Sequence, residues 1–248
     1  EGYDAVYPLA WAKYLSALNA GKTGTTPMGR YGTVNRPDSR LLDLANTRYI
    51  LTLKRDAKNK PNLAGGPNEQ FSLPYLAKIF EDGTVIVLEN GQAMPRAFMV
   101  YDWEVVENEE EQLARLLDAE FPLTEKVVLA KGINLEKAET GGFSVTQIDY
   151  QPNGIILEVN TEKPGLLFIG DAWYPGWKGY VDGTETEVLR ANYTFRAVAV
   201  PAGEHAVRFI YDPDSYKIGK IISIATLVFL VALFVTKRDY GLGAIKTT

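Results

Sequence analysis

The hydrophobic positions near the C-terminus form one almost unbroken run. Between Ile224 and Val235 every residue is apolar except Thr226, and the stretch 218–236 carries one charge, Lys220. At about 1.5 Å per residue, this stretch measures roughly 28 Å, close to the thickness of a bilayer core. A core helix of a soluble domain, which is the alternative, usually carries a polar stripe at helical spacing, and this run has none. The pattern therefore predicts a single transmembrane helix over 218–236.

The charges that follow this run predict its orientation. Lys237 and Arg238 come directly after it, and Lys246 lies in the tail 237–248. Because basic residues favour the cytoplasmic side of a membrane, we predict a cytoplasmic tail and an extracytoplasmic location for the preceding residues. The chain opens without an initiator Met or a signal sequence, as expected for a processed product or a fragment. The lipid bilayer is the first predicted partner.

Upstream of the apolar run, residues 1–135 mix helical and alternating patterns. Apolar residues at helical spacing predict helices at 4–19, 40–45 and 107–120. Alternating or β-rich runs predict strands at 48–54, 75–80, 84–89, 97–106 and 126–130. This mixture indicates a small α/β lobe at the N-terminus.

From residue 143 onward the pattern changes to short alternating strands separated by turns. The strands are predicted at 144–150, 154–160, 165–172, 178–181, 185–189, 194–200 and 205–211. Closely spaced strands of this kind are typical of an antiparallel β-sandwich or jelly-roll-like lobe, which we place at 143–213. The predicted fold class is therefore mainly β with some α (α+β): two lobes followed by the membrane helix.

Composition narrows the chemistry. The formal net charge is −5 and the isoelectric point about 5.1, which argues against a nucleic-acid partner. The absence of Cys excludes disulfides and thiolate metal sites, and one histidine with only carboxylates predicts neither a metal site nor a cofactor. We interpret that histidine, His205, as a structural residue at a strand edge, since a catalytic triad would need a nucleophile that the sequence does not indicate.

The densest motif is the segment DAWYPGWKGYVD at 171–182, which we call the aromatic segment. Aromatic rings stack on the apolar faces of sugars while carboxylates accept hydrogen bonds from hydroxyls. The candidate carbohydrate-binding residues are Asp171, Trp173, Tyr174, Trp177 and Asp182. The alternative is that these rings belong to the sandwich core and that the two acids bind turn backbone.

The aromatic segment and its surroundings resemble the C-terminal end of bacterial YfhO-type membrane proteins. The resemblance rests on GDAWYPGWKGYVDG, then on ANYTFRAVAVPAGEHAVRFIYDPDSYKIG and the apolar helix, in this order. Upstream, YDAVYPLAWAKYLSALN, RLLDLANTRYILT and ENGQAMPRAFMVYDWEVV also fit. Proteins of this type have many transmembrane helices and are similar to GT-C glycosyltransferases. The resemblance implies transfer of a sugar from a polyprenyl phosphate to a cell-envelope glycopolymer or glycolipid, with the catalytic carboxylate in a membrane bundle outside this sequence.

Three functions follow from these observations. The first is an extracytoplasmic accessory or acceptor-binding domain of a polytopic glycosyltransferase. Its partners would be the membrane bundle of the same protein and an envelope glycan or polyprenyl-linked sugar. The second is a membrane-anchored carbohydrate-binding or structural envelope module without catalysis. The third is a self-sufficient hydrolase that uses Asp171, Asp182 or other paired acids, which would need two carboxylates roughly 5 to 9 Å apart.

Overall fold

A computed structural model of the chain describes residues 8–26, 33–56, 58 and 60–243, with the backbone alone described for 235–243. The first part of the predicted helix at 4–19, residues 4–7, lies outside the described residues. So does the end of the predicted tail, residues 244–248. The predicted fold class is confirmed, because 38% of the chain lies in strands and 23% in helices.

Four α-helices are described. They are α1 (Leu9–Ala20), α2 (Arg40–Leu44), α3 (Glu109–Leu117) and α4 (Asp214–Gly243). Helix α1 ends at Gly21, which adopts a left-handed φ of 65° and donates its N–H to the Ala17 carbonyl. Asn108 caps the N-terminus of helix α3, because its side chain accepts hydrogen bonds from the N–H groups of Glu110 and Glu111.

Fourteen strands follow one another along the described chain. They are β1 (Tyr49–Leu53), β2 (Leu76–Asp82), β3 (Val85–Asn90), β4 (Ala97–Val100), β5 (Asp102–Val105), β6 (Lys126–Leu129), β7 (Phe143–Gln151), β8 (Gly154–Thr161), β9 (Gly165–Ala172), β10 (Trp177–Val181), β11 (Thr184–Thr186), β12 (Leu189–Ala191), β13 (Phe195–Val200) and β14 (Gly203–Tyr211). They form three sheets, with strand orders β1-β3-β2, β11-β10-β14-β8-β7 and β4-β9-β13-β12-β6-β5. The pairing is antiparallel except between β5 and β6, which helix α3 connects.

The six-stranded sheet is the middle layer of the fold. One of its faces packs on the five-stranded sheet through a core that includes Leu167, Val198 and Phe209. The opposite face packs on the helices and the three-stranded sheet through a second core that includes Leu18, Leu116 and Phe168. The antiparallel sandwich predicted for the second half of the chain is therefore present, and it is covered on one side by the N-terminal elements.

The six-stranded sheet contains strands from both predicted lobes. Strand β4, from the predicted lobe 1–135, pairs with β9, from the predicted lobe 143–213. Strand β6 likewise meets β12, at Leu129 and Ala191. The predicted lobe boundary therefore crosses one continuous sheet, and we expect the residues on either side to fold together.

Two predicted strands are divided in the structure. The run 97–106 breaks at Tyr101 into β4 and β5, which have different neighbours in the same sheet. The run 185–189 breaks into β11, at the edge of the five-stranded sheet, and β12, in the six-stranded sheet. Both were wrong as single strands, because the residue pattern of a strand does not reveal where its pairing partner changes.

Helix α4 extends away from the sandwich. Residues Asp214–Phe234 are long and apolar enough to cross a membrane, and none of this span is buried against the rest of the described chain. A helix in the core of a soluble domain would be mostly buried, so the exposure of side chains such as Leu227 and Phe234 disfavours that alternative. The helix continues to Gly243, through the first part of the predicted tail 237–248.

Candidate functional site

The aromatic segment begins at the end of the sandwich from which α4 emerges, which we call the helix-proximal end. Strand β9 ends there, β10 begins there, and β14 leads from there into α4. The loop between β9 and β10 contacts the chain just before the helix, because the Asp212 N–H donates to the Gly176 carbonyl over 2.9 Å. Gly176 has a φ of 106°, and a Cβ atom at this position would lie 2.7 Å from Cβ of Pro213. A glycine therefore lets the loop between β9 and β10 lie against the start of the helix.

Asp171 lies between two arginines. Its Oδ1 atom accepts hydrogen bonds from Nε and Nη2 of Arg96, at 3.1 and 2.9 Å. Its Oδ2 atom accepts one from Nη2 of Arg196 at 2.8 Å. The Arg196 side chain is only 3% exposed and that of Asp171 is 18% exposed. The carboxylate is thus already engaged in a largely buried ion cluster.

The two tryptophans of the aromatic segment are half-buried and packed. The Arg196 guanidinium lies 3.8 Å from the centre of the Trp177 ring, and the Tyr211 ring lies 5.4 Å from it. Trp173 donates its indole N–H to the Val188 carbonyl over 3.3 Å. These contacts favour the alternative that the two tryptophan rings pack within the fold, since each already has partners there.

Tyr174 is the exposed ring of the loop. It is 48% exposed, and the centre of its ring lies 6.4 Å from that of Tyr211. A half-exposed tyrosine offers an open ring face and a hydroxyl at the helix-proximal end. Of the predicted aromatic contacts, this ring has the geometry best suited to a ligand from solution.

Asp182 lies at the opposite end of β10 from Trp177. Since strands rise about 3.3 Å per residue, five residues separate the two by roughly 16 Å. Asp182 has a φ of 50° in the hairpin turn to β11, and its carboxylate accepts from the Ala206 N–H at 2.9 Å. Asp171 and Trp177 both contact Arg196, so Asp171 lies at the Trp177 end of β10. Asp171 and Asp182 are therefore too far apart to form the carboxylate pair of a hydrolase, and the assignment of these two acids as such a pair was wrong.

Asp182 also contacts the single histidine of the sequence. His205 Nδ1 lies 2.6 Å from Oδ2 of Asp182, and its other ring nitrogen lies 3.3 Å from the Ala202 carbonyl. The hydrogen bond that His205 donates to the Asp182 carboxylate raises the pKa of His205 and lowers the pKa of Asp182. The contact between Asp182 and His205 thus joins the β10–β11 turn to the first residues of β14.

This pair predicts a pH-dependent contribution to stability. The pKa of His205 is higher in the folded chain than its unfolded value of about 6.5. The contribution is therefore complete below about pH 6.5 and is lost as the pH rises through the folded pKa. We expect His205→Gln to lower the thermal unfolding midpoint clearly at about pH 5.5 and little at about pH 9. Circular dichroism melts at both values measure this.

Asp182→Asn is the matched variant, because asparagine tolerates the left-handed backbone of the turn. It should reproduce the loss seen with His205→Gln at low pH, and the double variant should add little to either. An equal loss at both pH values would contradict the ionic role of His205.

Sequence reasoning missed the two arginines of the Asp171 cluster. Arg196 lies in a strand that was predicted, and it shares the inward face of that strand with Val198 and Val200. A charged residue in a row of inward apolar positions signals a buried ion pair. Arg96 lies 75 positions before its partner Asp171, and nothing in the sequence around Arg96 indicates that it forms a buried ion pair.

A separate cleft of about 790 Å³ opens at the end of the sandwich remote from α4. It is lined in part by Asp102, Lys126, Lys137 and Phe143. Asp102 is paired with both lysines, at 2.8 and 2.6 Å. Across the described residues, no group of three or more histidines and acids is placed to hold a metal ion.

Comparison with known proteins agrees with the resemblance noted in the sequence. No curated protein and no solved structure matches the chain. A family model described as "Bacterial membrane protein YfhO" matches residues 134–223. The matched stretch contains β7 to β14, the whole aromatic segment and the first turns of α4. Over these residues the chain matches the YfhO family of bacterial membrane proteins, and α4 supplies a helix that could span a membrane.

Proposed function

We propose that this chain is an extracytoplasmic domain of a YfhO-type membrane protein that holds a sugar-bearing substrate at the membrane surface for a polytopic glycosyltransferase. One observation carries the proposal: the exposed Tyr174 lies on a loop that is hydrogen-bonded to the residues just before α4. A glycan on that ring would lie close to the plane where the helix enters the bilayer. A sugar linked to a membrane lipid is presented at the same level.

The binding surface in this proposal is smaller than the five residues expected from the sequence. Tyr174 would provide the stacking face and Trp173 an adjacent edge. Trp177 and Asp171 would support the loop through Arg196, which contacts both of them. Asp182 lies at the other end of β10 and would take no part. The catalytic carboxylate would belong to the membrane bundle of the same protein, as the family resemblance implies.

Replacing Tyr174 tests the sugar site. We expect Tyr174→Ala to weaken binding of a neutral polysaccharide fraction from bacterial cell walls about tenfold, since an aromatic contact is worth about 1.4 kcal/mol. Surface plasmon resonance on the full chain in nanodiscs measures the affinity. Because this polysaccharide is neutral, ionic attraction to the nearby arginines does not contribute to the measured affinity.

Tyr49→Ala is the matched control for this experiment. Tyr49 is also about half exposed, at 52%, but it lies on β1 in the small sheet. Its replacement should leave the affinity unchanged. If Tyr174→Ala folds normally and binds as tightly as the unchanged chain, the sugar site at Tyr174 is wrong.

A structural envelope module without catalysis is the second candidate. The packing of Trp177 and the double pairing of Asp171 favour it, because both groups already have partners inside the fold. The mass of the native polypeptide separates the two candidates. A product several times heavier than 27.5 kDa, recovered from membranes with an antibody to this domain, would support a polytopic transferase, whereas a product near that mass would support the module.

A further inference from the structure

The helix-proximal end of the sandwich carries an excess of positive charge. Two guanidinium groups, those of Arg96 and Arg196, share the single carboxylate of Asp171. Nearby, Lys178 and Lys217 are both paired with Asp212 and approach Asp214, so these four groups balance one another. The arginine cluster therefore keeps one net positive charge that no described neighbouring carboxylate neutralises.

One N–H group of the inner arginine of this cluster, Arg196, has no acceptor among the described residues. Nη1 of Arg196 is buried and has no hydrogen-bond partner among the described residues, although the guanidinium stacks on Trp177. Burial, together with the smaller effect of the positive charge of Arg96, lowers the pKa of Arg196 to about 10 despite the neighbouring carboxylate. A charge held in this way gains from an additional negative group.

The outer arginine is accessible. The Arg96 side chain is 31% exposed, and its guanidinium lies 4.0 Å from the centre of the Tyr150 ring. Tyr150 is itself half exposed, as is Ile148 on the same strand, and this strand ends at the helix-proximal end. Arg96 can therefore meet a group that arrives from the membrane side of the domain.

The position of the cluster indicates where that group comes from. Exposed aromatic rings at this end, Tyr150 and Tyr174, are joined by Tyr216 in the first turn of α4. Tyrosines concentrate at the level of lipid headgroups, and α4 fixes this end of the sandwich at that level if the helix spans the bilayer. Lipid headgroups carry phosphate, the anion whose geometry suits arginine best.

We propose that Arg96, supported by Arg196, binds the phosphate of a membrane lipid headgroup and so fixes the domain against the bilayer surface. The proposal uses the membrane-surface location that is part of the proposed function, but it does not require a sugar to bind. The phosphate contacts Arg96 from the outer side and supplies the second negative charge that the two guanidinium groups lack. Asp171 keeps its bond to Arg196.

Isothermal titration calorimetry on the full chain tests this site. The protein is held in micelles of a nonionic, sugar-free detergent and titrated with dihexanoyl phosphatidic acid or with inorganic phosphate. We expect the lipid to bind more tightly than inorganic phosphate. Arg96→Gln should weaken lipid binding at least about tenfold, because it removes charge-assisted hydrogen bonds. Asp171 and Arg196 remain paired in this variant.

Arg48→Gln is the control, since Arg48 is a 63% exposed arginine paired with Glu89 at the small sheet. It should bind the lipid as the unchanged chain does. Equal affinity for the lipid and for inorganic phosphate, lost in Arg96→Gln, would overturn the lipid as ligand while leaving an anion site. No binding, or equal binding by Arg96→Gln, would overturn the site itself.

The sugar site and the phosphate site can fail separately. Tyr174→Ala should retain phosphatidic acid binding, and Arg96→Gln should retain binding of the neutral polysaccharide. If both variants lost both ligands while remaining folded, the two groups would form one site and the phosphate assignment as a separate site would be wrong.

Discussion

Asp171→Asn is expected to lower the free energy of unfolding by about 3 kcal/mol, because it leaves two arginines around a neutral amide. Arg196 is almost fully buried and depends on Asp171 for the described carboxylate contact. Removing one partner of a buried ion pair costs far more than the pair contributes, since the remaining charge stays desolvated. Urea unfolding of the full chain in micelles, followed by circular dichroism, measures the loss.

Asp38→Asn provides the comparison for this change. Asp38 forms an ion pair with Arg36 at 2.8 Å, and both side chains are more than 40% exposed. Exposed pairs contribute less than about 1 kcal/mol, so this variant should be close to the unchanged chain. A loss from Asp171→Asn no larger than that from Asp38→Asn would mean that the carboxylate is dispensable to the fold. Asp171 would then again be a candidate for ligand binding.

The expected role of Asp171 marks the limit of what the sequence reveals about the site. The aromatic segment was visible as a cluster, and the structure does bring Asp171, Trp173, Tyr174 and Trp177 to one end of the sandwich. Their partners are distant in sequence: Arg96 lies 75 positions and Arg196 lies 25 positions from Asp171. The residues next to Asp171 in the sequence do not show whether its carboxylate is free to bind a sugar or is paired with buried arginines.

Asp182 shows the complementary limit. It was grouped with Asp171 because both flank the same rings, yet a whole strand lies between them. A strand rises about 3.3 Å per residue, so two residues at its opposite ends lie far apart although they are close in sequence. Recognising Trp177–Val181 as a strand was enough to place the two acids at opposite ends, and that step could have been taken from the sequence.

The fold was predictable wherever the pattern is local. The strands at 154–160, 165–172 and 205–211 agree with the structure to within two residues, and the predicted helix 218–236 lies within α4. The strand pairing was not predictable, because β4 pairs with β9 and β6 pairs with β12, and both partners lie far along the chain. Partner choice depends on which apolar faces meet, and short alternating strands carry little information about that.

Because strands of both predicted lobes share one sheet, we expect a second large loss of stability from a substitution at Phe195. This ring is fully buried on β13, and it meets Tyr14 and Trp11 of helix α1 edge to face, at 5.2 and 6.0 Å between ring centres. It also packs on Phe168 of β9 at 5.6 Å. Residues from both predicted lobes therefore depend on one side chain.

Phe195→Ala should lower the free energy of unfolding by about 3–5 kcal/mol, because it removes a buried ring and leaves a cavity between α1 and the six-stranded sheet. Phe143→Ala makes the same chemical change at a residue that is 47% exposed, and it should cost less than about 1 kcal/mol. Urea unfolding of both variants, followed by far-ultraviolet and near-ultraviolet circular dichroism, measures the difference.

The shape of the transition is as informative as its midpoint. Because the ring joins α1 to β9 and β13, the loss at Phe195 should move a single transition that both signals report together. Two separate transitions, with only the later one shifted by Phe195→Ala, would contradict the shared core. They would instead favour independent lobes at 1–135 and 143–213, as the sequence pattern first indicated.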